Sequence, residues 1–193
     1  IRRIIVPEAH METIQLALKK RLATTKIGHP ALKETQMGAL VSLEQRDDVR
    51  EQAKIIAKEC ELIFDGEESC QVEGADPERG AFLAPMLFAC LDPDRALVVH
   101  KEEAFGPVAT LMAYRDIDHG IALLNRGGGS LVGSVFTHDP AVARSVVIGA
   151  GAFHGRLYFN DRVSQVASTG HGSPLPHLIH GGPGRAGGSE ELG

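Results

Sequence analysis

The most constraining feature of this 193-residue chain is its alternation of short apolar runs with stretches whose apolar residues recur at helical spacing. Residues 3–6 carry a strand pattern that stops at Pro7. Residues 11–23 read as a helix, with Ile14, Leu18 and Leu22 four apart on one face. Gly28 and Pro30 mark a turn. Ser42 followed by Gln45 predicts a capped helix start, in which the hydroxyl accepts from the third helical N–H and the Gln side chain reaches back. Val49, Ala53, Ile56 and Cys60 extend an apolar stripe through Glu61. Strand patterns follow at 62–64, 108–114, 131–137 and 156–159, with further apolar runs at 82–91 and 96–99. Residues 117–125 predict a helix despite Gly120. Asp139 caps another, with Pro140 at its first position, where the missing N–H costs nothing.

Strand–helix alternation with short connections predicts an α/β fold, a mainly parallel sheet covered by helices. Ligands in such sheets sit beyond the carboxyl ends of strands, so site loops are expected to begin near His100, Thr137 and Asn160.

Bulk properties exclude several functions. The net charge is −5 and the basic residues are scattered, so there is no basic stripe of the kind a nucleic-acid binder needs. No apolar run is long enough to span a bilayer. No basic-then-apolar leader opens the chain. Cys60, Cys70 and Cys90 lack the close spacings of a disulfide scaffold or zinc finger, so a reducing cytoplasm and no metal site are expected. The chain begins at Ile1 beside an apolar run and ends in a glycine-rich tail, which reads as a piece of a longer protein.

The segment with the most chemistry is Glu102-Glu103-Ala104-Phe105-Gly106-Pro107-Val108. A loop carboxylate can accept both hydroxyls of a ribose, and a neighbouring ring can pack on a flat heterocycle. The same residues also suit a solvated acid pair before a strand, with Phe105 in the core. His171, His177 and His180 cluster near the end of the chain, but at no standard zinc spacing. Loop histidines beside a substrate entrance, or solvated ones, fit them better. Gly182, Gly184 and Gly187 formally satisfy G-x-G-x-x-G, yet no strand pattern precedes them and too little chain follows for a helix.

The Glu-Glu-x-Phe-Gly-Pro-Val segment resembles one in the second half of aldehyde dehydrogenases. Further segments resemble that family in the same order: Gly38-Ala39-Leu40-Val41-Ser42, Gly80-Ala81-Phe82-Leu83-Ala84-Pro85, Ser134-Val135-Phe136-Thr137-His138-Asp139, and the stretch from Gly151 to Asn160. The resemblance runs over essentially all of residues 1–193 and implies an incomplete catalytic domain. It implies that Glu103 binds the nicotinamide ribose, that Phe105 flanks the nicotinamide ring and that Asn160 supports the active site. The family's nucleophilic cysteine and general-base glutamate would lie upstream of Ile1. None of the three cysteines matches that nucleophile. The upstream pair would act through a covalent thiohemiacetal, with NADP or NAD accepting hydride.

Residues 170–193 are rich in Gly, Pro and His and are expected to lie close to the active site. They resemble the family's late Gly-Gly-x-Lys-x-Ser-Gly segment, with Gly184 in place of the Lys and Ala186 in place of the Ser. The run from Asn160 through Gly188 resembles one branch of the family, the dehydrogenase half of the bifunctional ring-opening enzyme of phenylacetic acid degradation. Semialdehyde dehydrogenases of the benzoyl-CoA pathway are the nearest rival. Either implies a coenzyme A-linked semialdehyde as substrate, NADP as favoured acceptor and a homo-oligomer. A non-catalytic module that keeps the fold and binds a nucleotide or a partner is the reading from another class.

Overall fold

The computed structural model describes residues 1–67, 70–168 and 181–187, in two compact units, Ile1–Ala113 and Tyr114–Gly193.

The first unit is built on a four-stranded sheet. Its elements are β1 (Arg3–Pro7), α1 (Met11–Leu22), β2 (Ile27–Gly28), α2 (Leu43–Ile56), β3 (Glu61–Asp65), β4 (Val72–Glu73), β5 (Met86–Cys90), α3 (Val98–Lys101) and β6 (Val108–Tyr114). The sheet order is β1-β6-β5-β3, and β2 pairs with β4 apart from it. β5 and β6 run parallel, with Met86 opposite Val108 and Cys90 opposite Met112. β2 and β4 are also parallel. β3 is antiparallel to β5, and its register slips between Leu62 and Phe64.

β5 is buried at every position, as an unbroken apolar run requires when both faces of a sheet are covered. The stripe on α2 buries Val49, Ala53 and Ile56 against Leu83, Phe88, Val99 and Met112. α1 is different. None of its residues is fully buried, and its predicted face is only half covered.

Two local expectations changed. α2 ends at Ile56 rather than running through Glu61. The chain turns there, with Cys60 N–H bonded back to the Ile56 carbonyl, and Glu61 already belongs to β3. His100 does not open a loop after a strand. It lies in the single turn of α3 and is 2% exposed. Glu59 Oε2 accepts from the N–H groups of Leu97 and Val98, at 2.9 and 2.7 Å, and so satisfies the donors at the start of that turn.

The second unit contains α4 (Ile117–Asn125), β7 (Ser130–Phe136), α5 (Pro140–Ala150) and β8 (His154–Asn160). β7 and β8 are parallel, with Phe136 opposite Asn160. The loops after Thr137 and Asn160 therefore leave the same edge of the pair, as parallel strands dictate. Both helices are capped by aspartate. Asp116 accepts from His119 N–H and Asp139 from Ala141 N–H, each at 2.8 Å. The segment Gly181–Gly187 folds back on this unit, where Arg185 N–H donates to the Gly128 carbonyl. The predicted α/β class holds: three of the strand pairings are parallel and helices alternate with the strands.

Candidate functional site

Glu103 and Phe105 sit in the loop that joins α3 to β6. Phe105 is 72% exposed, so it does not fill the core. Glu103 and Phe105 line one open cleft of about 370 Å³ together with Gln45, Asp48, Val49 and Gln52 of α2. That volume suits one moiety of a larger ligand. A second hollow, among Leu22, Phe64, Cys70 and Pro85, is only about 40 Å³.

The loop is tied from two sides. Arg2 Nη1 donates to the Glu102 carbonyl at 3.3 Å and lies 3.9 Å from Glu103 Oε2. Gln45 Nε2 donates to the Phe105 carbonyl at 2.7 Å. Gly106 packs on Val49, where an added Cβ would approach both side-chain methyls at 2.8 Å. The glycine is thus needed for close approach to α2. Two short backbone bonds, Gly106 N–H to Ala104 O and Val108 N–H to Gly106 O, both at 2.8 Å, tighten the turn.

The lining combines polar and apolar groups. It offers carboxylates and amides as acceptors and one exposed ring as a flat apolar wall. Gln52 Oε1 is buried without a hydrogen-bond partner among the described residues. An orphaned acceptor of this kind is costly in a protein, and Thr35 Oγ1, Asn125 Oδ1 and Arg156 Nη1 share that state away from the cleft. The sequence reading gives α2 an apolar stripe and gives Gln45 a capping role, but does not place its polar face at a site. Its signal was present: Gln45, Asp48 and Gln52 recur at three and seven residues, the spacing of one helix face.

Asn160 lies in the second unit, at the end of β8, and is 9% exposed. Its Oδ1 accepts from Asp161 N–H at 2.9 Å and from Ser164 Oγ at 2.7 Å. Asp161 in turn accepts from the N–H groups of Ser164 and Val163, at 2.7 and 2.9 Å. Those bonds, the Ser164 N–H first, hold the Asp161 carboxyl below its ordinary pKa. The result is a compact polar turn around the Asn160 side chain.

His171 and His177, with His180, lie outside the described residues, as does most of segment 170–193. Among the described residues no group of three or more His, Cys, Asp or Glu side chains could hold a metal. No helix among them is long and apolar enough to cross a membrane.

The fold defines the class, an α/β protein with helices between mainly parallel strands. The particular family follows from comparison. The sequence matches the aldehyde dehydrogenase family over residues 1–173, and the chain belongs to that family. It is 51% identical over 158 residues to protein MaoC of Klebsiella aerogenes, covering 81% of this chain and 45% of that protein. It is 37% identical over 183 residues to 3,4-dehydroadipyl-CoA semialdehyde dehydrogenase of Aromatoleum evansii, covering 95% and 36%. The chain therefore spans less than half the length of these curated relatives. Among solved structures it is similar to succinic semialdehyde dehydrogenase from Streptococcus pyogenes in complex with NADP+. There the TM-score is 0.76 at 25% identity, over 96% of this chain and 37% of that one. Aldehyde dehydrogenase C from Pseudomonas syringae, with NAD+ and octanal, gives 0.76 at 26% identity, over 96% and 35%.

Proposed function

We propose that residues 1–193 are part of the catalytic domain of an NAD(P)-dependent aldehyde dehydrogenase that oxidises a coenzyme A-linked semialdehyde in aerobic breakdown of phenylacetate. The observation that carries this reading is the cleft in which Glu103 and Phe105 meet the polar face of α2. Family membership gives the reaction class. The relative that acts on a CoA semialdehyde supports the substrate class. The NADP+ and NAD+ complexes among similar structures support the cofactor.

The residues fit such a cofactor. Glu103 would accept the nicotinamide ribose hydroxyls, and Phe105 would lie against the nicotinamide ring. A bound nicotinamide dinucleotide supplies hydride acceptance. This chain's own part would be to orient: the loop held by Arg2 and Gln45 would set the ring's position, which is where rate is gained or lost. Asn160, buttressed by Ser164, would have a supporting role in the active site, as the family resemblance implies. Nucleophile and base would come from sequence outside these residues. A reducing cytoplasm and a homo-oligomer complete the reading.

The test is an assay of the full-length enzyme with NADP+ or NAD+ against CoA-linked semialdehydes and the matching free aldehydes. Reduced-cofactor formation with kcat/KM at least about tenfold higher for the CoA-linked series, a difference of about 1.4 kcal/mol in transition-state binding, is expected. Equal rates with free aldehydes would overturn the substrate class.

A further inference from the structure

Gln45 sits at the third position of α2 and uses both ends of its amide. Its backbone N–H donates to Ser42 Oγ at 3.1 Å, and its Oε1 accepts from Val41 N–H at 3.0 Å. These two bonds close the helix start. The third is of another kind. Nε2 leaves the helix and donates to the carbonyl of Phe105, sixty residues along the chain. The partners fix the amide's orientation, because a backbone N–H can only donate and a carbonyl can only accept. A helix cap has no use for the third bond.

The geometry points to Gln45 as a positioning residue. It sets the backbone of Phe105, and through it the Glu103 carboxylate two residues back, at the cleft proposed to take the cofactor. The inference rests on that reading of the cleft. Phe105 is 72% exposed, so side-chain burial does little to hold this loop. Its tethers are the Gln45 bond to the Phe105 carbonyl and, on the Glu102–Glu103 side, Arg2. Gly106 against Val49 adds a second contact one turn further along α2. The bonds from Gly106 N–H to Ala104 and from Val108 N–H to Gly106 leave the turn little slack. A displacement at Phe105 is therefore passed on to Glu103 rather than absorbed.

Two substitutions in the full-length enzyme separate positioning from capping. Gln45→Glu keeps an acceptor for Val41 N–H, and glutamate is itself a favoured capping-box residue. It loses the donor to Phe105 and gains a negative charge. Gln45→Met loses both bonds and adds no charge. Cofactor affinity is read from quenching of reduced-cofactor fluorescence, hydride transfer from single turnovers and folding from Tm. Both variants are expected to bind cofactor about tenfold more weakly and to slow hydride transfer by about tenfold or more, since misplacement by about 1 Å costs on the order of a hundredfold. Only Gln45→Met should lose Tm. Native affinity and rate in Gln45→Glu would overturn the inference, because capping alone predicts that result. Impairment of Gln45→Glu without Gln45→Met would also overturn it, as an effect of charge. Glu103→Gln serves as the control on the cleft itself. If it binds cofactor normally, the reading of the cleft fails. If it is impaired while both Gln45 variants are normal, only the positioning role fails.

Discussion

The guanidinium of Arg2 distinguishes two adjacent acids: its Nη1 lies 3.9 Å from the Glu103 carboxylate and donates to the backbone carbonyl of Glu102 at 3.3 Å. Glu102 is used through its main chain, which substitution leaves in place. Glu103 is used through its side chain.

Glu103→Gln should therefore weaken cofactor binding and slow hydride transfer in the full-length enzyme, while Glu102→Gln changes neither by more than about twofold. The ion pair is partly exposed, and such pairs contribute about 0–1 kcal/mol, so the fold should survive both changes. Single-turnover kinetics and Tm on the two variants check this. Equal behaviour of the two would return both acids to the solvated surface.

The β3–β5 register places Glu61 opposite Ala89, so one step further out Cys60 opposes Cys90. Both are buried. The Cys60 thiol is pushed well up by its hydrogen bond to Cys90 and by burial. Thiolate is the reactive form, so Cys60 should be inert in the folded protein. Cys90, at 1% exposure, is out of reach of reagent. Cys70 is only partly buried, though burial and then Glu67 push its thiol up as well. A thiol reagent should label Cys70 alone under native conditions, faster as pH rises, and all three cysteines in denaturant. Mass spectrometry of the labelled protein reads the sites, and native labelling of Cys60 would contradict the packing.

In the second unit, glycines let the segment Gly181–Gly187 lie against β7 and β8. A Cβ on Gly129 would overlap the carbonyl oxygen of Pro183, and one on Gly155 that of Gly181. Gly129 also has a φ of 118°, a region side chains rarely adopt. Gly129→Ala and Gly155→Ala should each destabilise by about 1 kcal/mol or more. Gly151→Ala, with open space around its Cβ position, should change little. Thermal denaturation of the three variants decides this.

Local chemistry carried most of the legible fold. The Ser42-to-Gln45 and Asp139-Pro140 starts, and the helix Ile117–Asn125, were readable because caps and stripes are written within a few residues. The antiparallel run of β3 was not, because an apolar pattern has no direction. The end of α2 at Ile56 was hidden by Cys60, whose apolar character suits the stripe and the following buried turn equally. The helical turn at His100 is not legible because Ala96, Val98 and Val99 look like a strand, while Glu59, far back in sequence, caps them as a helical turn. The site divides in the same way. Glu103 and Phe105 stand in one readable segment, but the bond from Gln45 to Phe105 joins residues sixty apart and only folding reveals it.

The turn after β8 gives a pH test. Asp161 is held below its ordinary pKa by the Ser164 N–H first, then by the Ser164 hydroxyl and the Val163 N–H. A carboxyl whose pKa is lower folded than unfolded contributes stability that is complete above its unfolded value, about 3.9, and is lost as pH falls through the folded one. Ser164→Ala keeps both backbone donors and removes only the hydroxyl, which also donates to Asn160 Oδ1 at 2.7 Å. The Asp161 pKa should therefore move up toward its ordinary value without reaching it. Relative to the unmodified protein, the stability deficit should be constant above about pH 5 and should shrink below the unfolded value, as both proteins lose the carboxylate. Carbon-detected NMR titration of the Asp161 carboxyl reads the shift directly, and denaturant melts across that range read the linkage. An unchanged Asp161 titration in Ser164→Ala would mean that the hydroxyl is spent on Asn160 alone. The turn would then be held by its backbone N–H groups.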